Sequence, residues 1–161
     1  MNHIEVTVVD FHNQQHQQDL ILLLDSYAQD PMGGGQPLSE FSRQNLINHL
    51  KQMPHAISFL CYQDNQPIGF ANCFFGFSTF KCKPLLNIHD FAIIKAIRGQ
   101  NISQQLLQKI ESTAREKGCC KITLEVLEGN VIAQKAYLKY GFDNYQLDPE
   151  MGKAEFWEKT L

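Results

Sequence analysis

The sequence has no excess of basic residues. It carries 14 lysines and arginines against 17 aspartates and glutamates, which gives a net charge of -3 and a pI of about 6.0. Proteins that bind nucleic acid or anionic lipid present a basic surface, so the composition argues against both kinds of partner. We expect local donors, rather than the field of the whole chain, to hold any anionic ligand.

Long apolar runs and metal-ligand spacings are also lacking. No apolar run approaches the roughly 20 residues that span a bilayer, and the start, MNHIEVTVVDFH, is typical of a β-strand rather than of a signal peptide. The five cysteines form no C-x-x-C pair and no spacing with histidine typical of zinc ligands, so we predict no metal site. These features favour free thiols in the reducing cytoplasm.

What the sequence does contain is ordinary for a globular protein. Hydrophobic residues make up 43% of the chain and charged residues 19%. A length of 161 residues allows one domain with a substantial core, so we predict a single domain over residues 1–161. Hydrophobic periodicity and turn residues predict the order β-α-α-β-β-β-α-β-α-β-β. The ranges are His3–Val9, Gln15–Gln29, a helix capped by Ser39, Ala56–Tyr62, Ile68–Phe77, Leu85–Ile94, Ile102–Lys117, Lys121–Leu127, Asn130–Tyr140 and two short strands through Leu161.

This order indicates the fold class. The first half contains a hairpin, and the second contains a strand-helix-strand crossover. Hairpins pair antiparallel strands, whereas a crossover joins parallel ones. We therefore expect an α/β (α+β) fold with a mixed sheet and helices on its faces.

The stretch RGQNISQQLL, Arg98 to Leu107, lies between an apolar run and a predicted helix. Gly99, Asn101 and Ser103 alternate within it, and these residue types suit tight turns or present backbone N–H groups. The N–H groups and the dipole at a helix N-terminus favour an anion. The loop is therefore predicted to hold a phosphate group.

Two motifs resemble those of the GNAT superfamily of acetyl-CoA-dependent N-acetyltransferases. At the loop, the family pattern is Arg or Gln, two residues, Gly, one residue, Gly or Ala, and then a helix with a leucine pair. This chain has RGQNIS at positions 98–103, followed by Leu106 and Leu107. Further along, NVIAQKAYLKYGF at 130–142 matches every named position of the family's N-x-x-A-x-x-x-Y-x-x-x-G-F. The likeness extends from Leu85 to Phe142.

The loop departs from the family pattern at two positions. Asn101 stands where the family has glycine, but asparagine is the non-glycine residue that best tolerates left-handed backbone, at a cost of about 1 kcal/mol. Ser103 replaces the second small residue and adds a hydroxyl that could donate to a phosphate oxygen. The resemblance therefore still implies coenzyme A pyrophosphate at this loop.

The resemblance implies a mixed, mostly antiparallel sheet of about seven strands with four helices on its faces. It implies transfer of an acetyl group from acetyl-CoA to a primary amine by direct attack, without a metal. Family members are often dimers, but the oligomeric state of this chain and the identity of the acceptor amine are both left open. The positions that the resemblance places at the cofactor are Ile93, Arg98, Gly99, Gln100, Asn101, Ile102, Ser103 and Asn130.

Two further roles are candidates for catalysis. In the family, the tyrosine matching Tyr137 protonates the coenzyme A sulfur, and a phenol can donate to a departing thiolate. The amine must first lose a proton, and we favour His89 over Asp90 as the base. Adjacent residues of an unbulged strand point to opposite faces, so at most one of these two would face the acceptor. Glu125 and ordered water are the alternatives.

Three other interpretations stay open. The segment PMGGG, residues 31–35, could act as a lid, because the region between the first two helices borders the acceptor in the family. Phe77 and Phe80 could line an acceptor pocket. The alternative function is a non-catalytic coenzyme A-binding module, which would need neither Tyr137 nor His89.

Overall fold

The computed structural model describes residues 3–161. These residues form five strands and four α-helices, and the chain separates into two compact units between Leu124 and Glu125. The strands are β1 (Ile4–Val8), β2 (Ala56–Gln63), β3 (Gln66–Ser78), β4 (Lys83–Ile93) and β5 (Ile122–Leu124); the helices are α1 (Gln14–Gln29), α2 (Glu40–Gln52), α3 (Ile102–Glu116) and α4 (Val131–Tyr140).

All five strands lie in one sheet of the first unit. Their order is β1-β2-β3-β4-β5. The pairs β1–β2, β2–β3 and β3–β4 are antiparallel, and the pair β4–β5 is parallel. A two-residue turn joins β2 to β3, and its residues Asp64 and Asn65 have φ values of 48° and 65°. Asparagine and aspartate tolerate this left-handed backbone, which two-residue hairpin turns require. The predicted mixed sheet is therefore confirmed.

Helices cover both faces of this sheet. Asn13 and Ser39 cap α1 and α2 with side-chain oxygens, as the sequence predicts for Ser39. Apolar residues of α1, α2 and alternating strand positions form one core cluster, which consists of Val9, Leu20, Leu23, Leu24, Ile47, Leu50, Leu60 and Phe70. Helix α3 contacts β1 to β4, and its Leu106, Leu107 and Ile110 are at most 1% exposed.

A β-bulge interrupts β4 next to its centre. Asn72 of β3 pairs with Asp90, but the next residue, Cys73, pairs with Ile88. His89 is therefore the extra residue of the bulge, which changes the direction of the following side chains. The pairing of β4 with β5 also ends here, at the Ile88–Leu124 pair. The bulge and the end of this pairing therefore fall on adjacent residues of β4.

The strand count is lower than predicted. The sheet has five strands rather than about seven, β5 covers only three residues of the predicted Lys121–Leu127, and no described residue after Leu124 lies in a strand. In the second unit, α4 has the predicted end, with Gly141 in left-handed backbone at φ 112°. The apolar C-terminal segment instead leaves Phe156 and Trp157 exposed.

Candidate functional site

The loop before α3 has the backbone that its sequence predicts. Gly99 has a φ of 89° and Asn101 a φ of 63°, so two left-handed residues flank Gln100 and turn the chain into the helix. The first N–H groups of a helix lack partners inside it. The first turn of α3 contains no acidic residue, and this helix end therefore suits an anion.

Arg98 ties this loop to the segment that follows α1. Its Nε donates to the carbonyl oxygen of Ile93 at 2.9 Å, and its Nη2 lies 3.3 Å from Oδ2 of Asp30. The other oxygen of Asp30 accepts from the backbone N–H of Met32 at 3.0 Å. This N–H and Arg98 hold the pKa of Asp30 below its ordinary value. The carboxylate is therefore ionised at neutral pH and neutralises part of the guanidinium charge.

A cavity of about 310 Å³ opens beside this ion pair. Its walls come from the end of α1, the Asp30–Pro31 turn and the end of β4, and they carry both apolar and charged groups. The lining includes Tyr27, Asp30, Phe70, Ala92, Ile93 and Arg98. The volume suits part of a small-molecule ligand.

Tyr27 lines this cavity where nearby carboxylates make the electrostatic potential negative. Burial raises the pKa of its phenol, and the negative charges of Asp90 and Asp30 raise it further, against the effect of Arg98. The ring packs edge-on against Phe70 at 6.1 Å between centroids. Two carboxylates therefore lie close enough to the Tyr27 phenol to favour a positive charge there.

The bulge at His89 contradicts the prediction that this strand is unbulged, and the contacts of His89 and Asp90 place both side chains on the same face of the sheet. The His89 ring packs edge-on against the Phe74 ring with 5.7 Å between the ring centroids. Oδ2 of Asp90 accepts a hydrogen bond from Nδ2 of Asn72 at 3.0 Å. Asn72 and Phe74 are alternate residues of β3 and so share a face. His89 is exposed, whereas Asp90 is half-buried.

The second unit contains the other sequence-predicted residues. Asn130 caps α4, since its Oδ1 accepts from the backbone N–H of Ala133 at 3.2 Å. Tyr137 is only 8% exposed, and its ring packs edge-on against Phe142 at 5.8 Å. Glu125, the alternative base, is exposed just after β5.

The structure also describes the two phenylalanines that were candidates for an acceptor pocket, and the cysteines. Phe77 and Phe80 are 59% and 89% exposed, and neither lines the cavity. Within residues 3–161, no group of histidine, cysteine and carboxylate side chains could hold a metal ion, and no helix has the length and hydropathy needed to cross a bilayer. All five cysteines are free thiols.

Sequence reasoning missed Tyr27, Asp30 and Asn72. Each is distant in sequence from a residue that it contacts: Tyr27 from Phe70, Asp30 from Arg98, and Asn72 from Asp90. Asp30 alone has a recognisable context, because it directly precedes the PMGGG segment, which the family resemblance places beside the acceptor.

The sequence of this chain is similar to a known protein family and to proteins of two species. The model of a family described as the acetyltransferase (GNAT) family matches residues 22–142. A thialysine N-epsilon-acetyltransferase from Bos taurus is 28% identical over 90 residues, which are 56% of this chain and 49% of the bovine protein. An aminoglycoside N(6')-acetyltransferase type 1 from Salmonella typhimurium is 23% identical over 95 residues, covering 57% of this chain and 66% of that protein.

Solved structures agree with this match in fold. An aminoglycoside N-acetyltransferase in complex with CoA superposes with a TM-score of 0.75 at 17% identity, over 100% of this chain and 97% of that one. A probable acetyltransferase superposes with a TM-score of 0.77 at 24% identity, over 98% and 96% of the two chains. At these identities the likeness concerns the fold alone. The matches to the bovine and Salmonella proteins span only about half and two thirds of their respective lengths.

Proposed function

The chain belongs to the acetyltransferase (GNAT) family, and from this premise we propose that it transfers an acetyl group from acetyl-CoA to a cationic primary amine. The observation that carries the proposal is the cavity in which Arg98 of the predicted phosphate loop and Asp30 of the α1 end lie together. One charge suits the anionic cofactor and the other suits a cationic acceptor.

The cofactor part of the proposal rests on the loop before α3. Residues Arg98 to Asn101 lead into a 15-residue helix whose first turn has no acidic side chain. The backbone N–H groups of this turn and the helix dipole would hold the pyrophosphate, with the Ser103 hydroxyl as a further donor. From the family resemblance we propose that the N–H of Ile93 polarises the thioester carbonyl and that Asn130 contacts the cofactor.

The acceptor part rests on the negative charges near Tyr27. Asp90 and Asp30 both raise the pKa of its phenol, so an ammonium group near Tyr27 would be attracted by two carboxylates. The bovine and Salmonella relatives are named for amine-bearing acceptors, thialysine and aminoglycosides. An acceptor with at least one positive charge besides the reacting nitrogen fits this site best.

The chemistry is a direct transfer. His89 or Asp90 takes the proton of the ammonium, the free amine attacks the thioester carbon, a C–N bond forms and the C–S bond breaks. From the family resemblance we propose that Tyr137 gives its proton to the departing thiolate. A pathway through an acetyl-cysteine is disfavoured, because burial raises the pKa of Cys61 to about 11 and also raises that of Cys73, which leaves both as neutral thiols.

A screen of primary amines, read by the release of free coenzyme A thiol, tests the proposal. We expect amine-dependent release that is strongest for polyamines, lysine-like compounds or aminoglycosides, and weak for neutral amines of equal size. Coenzyme A binding without release for any amine would instead support a non-catalytic binding module. Heat-denatured protein is the control for uncatalysed thioester cleavage.

A further inference from the structure

A chain of buried polar side chains runs across the sheet from β2 to β4. Ser58 and Asn72 are only 1% and 4% exposed. The Ser58 hydroxyl donates to Oδ1 of Asn72 at 2.7 Å, and Nδ2 of Asn72 donates to Oδ2 of Asp90 at 3.0 Å. Buried polar groups in folded proteins almost always have hydrogen-bond partners. Here the series of hydrogen bonds ends at the Asp90 carboxylate beside the bulge.

The direction of these bonds is fixed by chemistry. An ionised carboxylate can only accept, so the amide must turn its NH₂ group towards Asp90 and its oxygen towards Ser58. The Asp90 carboxylate accepts a hydrogen bond from the Asn72 side chain. A hydrogen bond to the charged form stabilises that form, and it also limits rotation of the carboxylate.

We propose that Asn72 is a positioning residue for acetyl transfer, which holds the Asp90 carboxylate oriented towards the acceptor amine while Ser58 fixes the Asn72 amide. This inference rests on the proposed function, in which Asp90 attracts the ammonium or takes its proton. The titratable groups around Asp90 are Tyr27 from α1, Cys73 from β3 and His89 from its own strand.

The isosteric variant Asn72→Asp tests this inference without creating a cavity. Two carboxylates that share a site retain one proton to higher pH, so the acid limb of the kcat/KM profile should move to higher pH. At pH 7, kcat/KM for the amine should fall by about tenfold or more, while coenzyme A affinity stays within about twofold. Ser58→Ala, which frees the amide to rotate, should show a smaller fall.

Additivity with Asp90→Asn separates positioning from a structural role. If Asn72 acts through Asp90, then Asn72→Ala should lower kcat/KM in the wild-type background and have no further effect in the Asp90→Asn background. The matched control is Tyr62→Phe, which removes another hydrogen bond to a buried carboxylate, 2.8 Å from Asp19. It should lower stability and leave the pH profile unchanged.

Several outcomes would overturn the inference. One is an unchanged pH profile in Asn72→Asp, and another is an equal effect of Asn72→Ala in both backgrounds. Unchanged kcat/KM in Asp90→Asn would also refute it. If the wild-type protein releases thiol with amines, these results leave the proposed function standing and reject only the role of Asn72; if the wild type releases none, the proposed function itself fails.

Discussion

Asn101→Val probes whether the backbone of the predicted phosphate loop binds the cofactor. Asn101 has a φ of 63°, and Asn65, in the turn between β2 and β3, has nearly the same φ of 65°. Left-handed backbone costs an L-residue about 1–2 kcal/mol, and valine resists it more than asparagine. Each substitution to valine should therefore lower the free energy of unfolding by about 1–2 kcal/mol and the Tm by about 2–8 °C.

Only Asn101 lies in the loop that leads directly into α3, so the two valine variants should differ in ligand binding. With micromolar affinity, coenzyme A binding is worth roughly -8 kcal/mol. Asn101→Val displaces the N–H groups that would face the pyrophosphate, and we expect more than a tenfold loss of affinity. Asn65→Val should bind as the wild type does. Asn101→Gly should stay within about tenfold of wild type, because relief of strain is offset by flexibility of the free loop.

Urea unfolding and isothermal titration calorimetry on these proteins measure both quantities. Arg98→Ala should lose less affinity than Asn101→Val if the main chain supplies most of the binding. Equal affinity of wild type and Asn101→Val would mean that the cofactor does not use this loop. A wild type that fails to bind, with binding gained in Asn101→Gly, would mean that the loop is a decayed site.

Three other predictions concern single groups. Tyr137→Phe should lower kcat by at least about tenfold with coenzyme A affinity nearly unchanged, as expected for loss of a general acid; unchanged kcat under conditions where chemistry limits the rate would reject this role. If His89 is the base, His89→Gln should remove the rising limb of the kcat/KM profile against pH, whereas a retained limb would point to Asp90 or water. Because burial raises the pKa of Cys61 to about 11, this thiol should resist a disulfide reagent at pH 8 in the folded protein, while the exposed Cys82 reacts at once. Labelling followed by mass spectrometry distinguishes the two thiols. Rapid modification of Cys61 would contradict its burial.

Local sequence signals were sufficient where the structure is locally determined. The helix cap at Ser39 and the left-handed stop at Gly141 depend on one residue and its near neighbours. The same holds for Asn101, whose left-handed backbone was predicted from the tolerance of asparagine. The order of the elements up to α4 followed from the periodicity of the apolar residues.

Features that depend on pairing between distant segments could not be predicted. Strand alternation contains no sign that His89 is an extra residue, because the bulge exists only relative to the register of β3. The C-terminal segment has apolar residues typical of strands, but a strand also requires a partner with which its backbone can form hydrogen bonds. The contact of Asn72 with Asp90 likewise exists only through the pairing of β3 with β4.

The most direct test of the central claim is a mass balance of the transfer reaction. The purified protein is mixed with acetyl-CoA and the amine that releases most thiol, and the acetylated amine and free coenzyme A are both quantified by mass spectrometry. The account predicts one acetylated amine for each coenzyme A released, with release that requires the amine. Thiol release without an acetylated amine would show that the protein hydrolyses the thioester, and it would contradict the proposed transfer.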